Sequence, residues 1–107
     1  MMPASDENLR LDLRALVYRE DGAWVAHCLE LDLPAEGDSP QLAVKNLVDL
    51  ISFQVSTAID DANLASIFSP APPDIWRLYA LANDSADSTQ NVARPVHRLD
   101  VRELAVT

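Results

Sequence analysis

The stretch Tyr18-Arg19-Glu20-Asp21-Gly22-Ala23-Trp24-Val25-Ala26-His27-Cys28-Leu29-Glu30-Leu31 decides the fold. Asp-Gly at its centre is the dipeptide that a two-residue hairpin turn demands, because both central residues take positive φ. Upstream, Leu9, Leu11, Leu13, Ala15 and Val17 alternate with Arg10, Asp12 and Arg14, a period of two that marks a half-buried strand from about Leu9 to Glu20. At Leu16 and Tyr18 the second face also turns apolar, which predicts that both faces are covered there. Downstream, Ala23 to Leu31 pairs back on it. Trp24, Ala26 and Cys28 share one face, and Val25, His27 and Leu29 share the other.

Working outward, Leu33-Pro34-Ala35-Glu36-Gly37 reads as a short third strand, placed at an edge because Pro34 has no N–H to donate. Ser39-Pro40 is a helix start, with Ser39 as N-cap and Pro40 at the first helical position. Val44, Leu47, Val48, Ile51, Val55, Ala58 and Ile59 recur every three or four residues, which predicts one amphipathic helix to about Ala62. Asp60-Asp61 weakens its last turn, since the helix dipole disfavours acid there. Leu50 and Phe53 fall off the apolar stripe and face either the later segment or a second chain.

Residues 63–95 carry the weaker signals. Ser69-Pro70-Ala71-Pro72-Pro73 predicts a loop. Residues 74–82 fit a short helix capped by Asp74 or, nearly as well, a strand, and Asn83 to Gln90 predicts an exposed, mobile loop. Val96 to Val106 alternates again, as a final strand. The expectation is a single domain over 1–107, with a core at 9–62 and 96–106 and an insert at 63–95.

Composition narrows the function classes. The chain has 107 residues, 49% of them apolar, enough for one packed core. Cys28 is its one cysteine, so no intrachain disulfide or multi-cysteine metal cage forms, which favours a reducing, cytoplasmic setting. No apolar leader and no run of 18 apolar residues is present, so no membrane span is expected. Eight basic side chains against seventeen acidic ones give a net charge of −9. A field of that sign repels nucleic acid and attracts a basic protein. The scattered basic residues form no nucleic-acid stripe.

No constellation demands catalysis. His27 and Cys28 are neighbours on a strand and point apart, so they form no thiolate–imidazole pair. Cys28 reads as a buried structural residue. His27 and His97, with Asp100 or Glu103, approach a metal set in composition only. Glu30 and Asp32 flank the second turn and are expected to be solvated, and Asp60-Asp61 is a helix end. With two glycines there is no phosphate-cradling loop. No catalytic residue, cofactor or metal is assigned, and an enzyme is not expected.

The turn Asp21-Gly22, the Trp24-x-Ala26 strand, Leu31, and Gly37-Asp38-Ser39 followed by Ala43-x-x-Asn46-Leu47 together resemble the HicB-like antitoxin family. The resemblance implies an α+β, two-layer β-β-β-α-β domain. Its mostly antiparallel sheet would have the order 3-2-1-4, with one long helix packed on one face. It also implies a protein that neutralises a small basic ribonuclease toxin by covering its active site. Many members add a DNA-binding domain. After Val96 only one strand is expected, so no direct DNA binding is expected, and the 63–95 insert exceeds the family's usual link. The expected partner surface is the open sheet face with the acidic loops and the off-stripe helix residues: His27, Glu30, Asp32, Glu36, Leu50 and Phe53. The alternative is a stand-alone homo-oligomeric domain, most simply a dimer, of structural or ligand-binding type, suggested by the surplus apolar residues Val25, Leu29, Leu50, Phe53 and Trp76.

Overall fold

A computed structural model describes residues 10–93 and 95–104. The expected strand positions Leu9, Ala105 and Val106 lie outside the described residues. The hairpin forms as read: β1 (Leu11–Glu20) pairs antiparallel with β2 (Ala23–Cys28), with Val17 opposite Ala26. Asp21 and Gly22 adopt φ of 52° and 83°, the two positive values the turn requires. β2 stops at Cys28 rather than Leu31, because residues 29–32 turn, with Asp32 at φ 50°. β3 (Leu33–Gly37) then pairs antiparallel with β2.

α1 (Pro40–Asp60) starts where Ser39 Oγ accepts the Leu42 N–H at 3.1 Å. It ends two residues earlier than Ala62. Ala62 takes a left-handed φ of 54°, Asn63 N donates to Ala58 O (2.8 Å) and Ala62 N to Ile59 O (2.9 Å). That pair of bonds is a Schellman motif, here with alanine where glycine is usual. Ala43, Val44, Leu47, Ile51 and Val55 are buried against Leu13, Ala15, Val17, Ala26, Cys28, Leu99 and Val101 of the sheet, and Ala58 is buried in the last turn. Gly37 permits this approach, since a Cβ there would lie inside 3 Å of the Leu42–Ala43 backbone. By length and an 18-residue mean hydropathy of 1.3, α1 is long and apolar enough to cross a membrane, and here one of its faces packs on the sheet.

Beyond α1, a 3-10 turn at Leu64–Ile67 leads to α2 (Pro73–Leu81), β4 (Asn83–Asp84), β5 (Thr89–Ala93) and β6 (Val96–Glu103). The fold is α+β with a mixed sheet. β6 lies parallel beside β1, and the order is β3-β2-β1-β6-β4, with β5 also on β6. Two expectations are corrected here. The four-strand order is extended past β6, because part of the polar segment 83–90 pairs with β6 rather than looping free. The arrangement is also not two-layered, because the second sheet face is covered. Leu16 and Leu29 are fully buried yet absent from the cluster under α1, and Ala71 N docks on Leu29 O at 2.7 Å. α2 follows over β1 and β6, resolving 73–81 as a helix. Asp74 does not cap it: Pro72 is the N-cap residue, and Asp74 pairs with Arg77 one turn on.

The ladder also fixes the free edge. Leu29 N donates to Arg14 O, so alternate β2 residues from Trp24 to Cys28 turn their backbone groups to β3. Pro34 and Glu36 therefore face outward. Pro34 has no donor, and the Glu36 carbonyl accepts Asn46 Nδ2 at 2.8 Å, so this edge offers little to an added strand.

Candidate functional site

The six residues named from sequence fall into two groups. His27 lies on β2, on the sheet face away from α1, with Glu30 and Asp32 in the turn that follows, and each is engaged within the chain. His27 Nε2 lies 2.7 Å from Asp32 Oδ1, and Nδ1 lies 3.3 Å from the Tyr18 hydroxyl. With Asp32 accepting, Nε2 carries the proton, and Nδ1 accepts from Tyr18. Burial, then Glu20 and Asp32, push the Tyr18 phenol up, which keeps that hydroxyl a donor. Both ring nitrogens are therefore occupied, and Asp32 is held in its left-handed turn by the same bond. The His27 side chain is only 12% exposed.

Glu30 is not simply solvated. Its Oε1 accepts the Arg14 backbone N–H (2.8 Å), and its Oε2 pairs with Arg14 Nη1 (2.5 Å). The Arg14 guanidinium lies 5.7 Å from the Trp76 ring of α2, and Arg102 lies 4.5 Å over Tyr79 while donating to its carbonyl. These contacts hold α2, which has no fully buried residue, on the sheet. The face expected to be open is thus closed by the chain's own 69–81 segment.

Glu36, Leu50 and Phe53 belong to the other group, at the outer side of α1. The helix turns Leu42, Asn46, Leu50, Phe53 and Thr57 away from the sheet along one line, at spacings of three and four. Phe53 is 70% exposed and Leu42 45% exposed, whereas Leu50 is half-buried. The line begins beside a groove of about 330 Å³ lined by Ala23, Glu36, Gly37, Asp38, Leu42 and Asn46. Leu42 was not singled out from sequence, although its helical spacing to Asn46 and Leu50 carries the signal.

Burial pushes the Cys28 thiol up to about 12, which suits a core residue and not a nucleophile. His97 lies on β6, two strands from His27. Among the described residues no group of three or more His, Cys, Asp or Glu is placed to hold a metal. A comparison of the chain with protein-family models, with curated proteins and with solved structures finds no match in any of the three.

Proposed function

We propose that this chain is a non-catalytic, cytoplasmic protein-binding module of the HicB-like antitoxin kind, and that it meets its partner with the outer face of α1. The observation that carries this reading is the line of Leu42, Leu50 and Phe53 on a helix whose opposite face already fills the core. A phenylalanine 70% exposed in the middle of a helix gains nothing from its own fold. Two features support the non-catalytic part: Cys28 is buried, and both ring nitrogens of His27 are bonded within the chain. The blunted β3 edge supports contact through side chains rather than through strand addition.

Affinity capture from the native host tests this, with the wild type beside the Leu42→Ser, Phe53→Ser double variant. The expected result is a stoichiometric partner retained by the wild type and lost by the variant, with thermal unfolding unchanged. A variant that captures the same partner equally well overturns the assignment of the surface, and a wild type that captures none overturns the module.

A further inference from the structure

Resting on that reading, we infer that the occupant of α1's outer face is a basic amphipathic segment of another protein, and not a second copy of this chain. The apolar line is bounded by acid at both ends. Glu36 and Asp38 stand at its start, Asp60 and Asp61 at its finish, and all four are exposed. Among the described residues none of the four has an ion-pair partner, whereas Glu30, Asp100 and Asp84 are matched by Arg14, Arg98 and Arg102. Lys45 is the one basic residue on α1, and it pairs with Asp49. At the C-terminal end the helix dipole adds to the negative potential of Asp60 and Asp61.

This charge pattern selects between occupants. Two copies packed antiparallel through Leu42 and Phe53 would set Asp60 and Asp61 of one against Glu36 and Asp38 of the other. Two copies packed parallel would set like ends together. Either way acid meets acid, and like charge opposed across an interface disfavours association. A segment with apolar residues at helical spacing and Lys or Arg at both ends meets the apolar line and all four carboxylates. At the groove beside Leu42, the aliphatic stem of such a residue lies along Ala23 and Leu42, and its cationic head reaches Glu36 and Asp38. This is helix-on-helix recognition with the charges at its rim setting the choice of partner.

The test uses synthetic amphipathic peptides of about 20 residues, the length that spans α1. One carries Lys and Arg at both ends, one carries Glu there, and one is a scrambled sequence of the first. Binding to the full chain is read by fluorescence anisotropy. The basic-ended peptide is expected to bind about tenfold or more tighter than the acid-ended one, the sum of several rim pairs of ordinary strength. The preference is expected to vanish in Glu36→Gln, Asp38→Asn, Asp60→Asn, Asp61→Asn, and when salt rises from about 0.1 to about 1 M. Equal binding of both peptides, or a preference that survives the four substitutions, overturns the inference. So does light scattering that shows a dimer abolished by Phe53→Ser. Should the basic peptide fail while Leu42→Ser, Phe53→Ser still loses a captured partner, the inference falls and the protein-binding reading stands.

Discussion

Gly37→Ala tests the closest approach in the fold. A Cβ at Gly37 would stand 2.8 Å from the Leu42 carbonyl carbon and 2.9 Å from Ala43 Cα, with the Ala43 nitrogen also inside 3 Å. Ordinary contact begins near 3.4 Å, so β3 and the first turn of α1 must part by at least about 0.6 Å. Neither side yields cheaply. Ala43 is fully buried and its N–H is bonded to Ser39 O at 2.9 Å, while Gly37 is in register with Trp24. Overpacking against backbone belongs at the upper end of the usual range, about 3 kcal/mol. For a domain of this size that corresponds to a fall in Tm on the order of 15 °C. Gly22→Ala is the control. Nothing lies within 4 Å of a Cβ there, and only its φ of 83° opposes a side chain. That costs about 1–2 kcal/mol. Urea unfolding followed by circular dichroism ranks the two. A Gly37→Ala variant within about 0.5 kcal/mol of the wild type, or no weaker than Gly22→Ala, refutes the close-approach argument.

Ala62→Gly should raise stability by about 0.5–1 kcal/mol in the same assay, because it relieves a left-handed alanine at the end of α1; a loss would mean that the Schellman geometry is absent in solution. A double-mutant cycle with His27→Gln and Asp32→Asn should return a coupling of about 1 kcal/mol, at the low side for a charged hydrogen bond because Asp32 is 42% exposed; additive effects would remove the pair from the account of the turn. The Cys28 thiol is raised from 9.0 to about 12, so its contribution to stability is fully present below pH 9 and is lost as pH rises towards 12. Tyr18 and Tyr79, both raised chiefly by burial, act in the same direction. Cys28→Ala should therefore flatten the alkaline limb of the stability profile without abolishing it, and an unchanged limb would show the thiol to be accessible.

The sequence reading succeeds where local chemistry and tertiary structure agree. Asp21-Gly22, Ser39-Pro40 and the alternation from Leu11 to Val17 each mark a boundary or a face that the structure keeps. It is least successful where pairing is non-local. Asn83–Asp84 and Thr89–Ala93 are polar and lack a two-residue periodicity, and they become strands because β6 offers them an unpaired edge. Leu16 and Tyr18 announce a covered second face on β1, but the element that covers it was hidden for a related reason. α2 is held by Arg14 on Trp76 and Arg102 on Tyr79, contacts between residues far apart in the chain that no periodicity announces. Of the site residues, Leu50 and Phe53 were legible as misfits in a helical stripe. The engagement of His27 and Glu30 depends on Tyr18 and Arg14 across a strand, which spacing does not reveal.

The parallel pairing of β1 with β6 carries a kinetic consequence. Leu13 meets Leu99 and Ala15 meets Val101, so the central ladder joins two strands separated in the chain by β2, β3, α1 and α2. Until β6 arrives, an emerging chain holds the hairpin and α1 with one side of β1 unpaired. Closing so long a loop is slow. Such a chain would present a sticky strand edge while it waits, which makes this step the one most exposed to misassociation during synthesis.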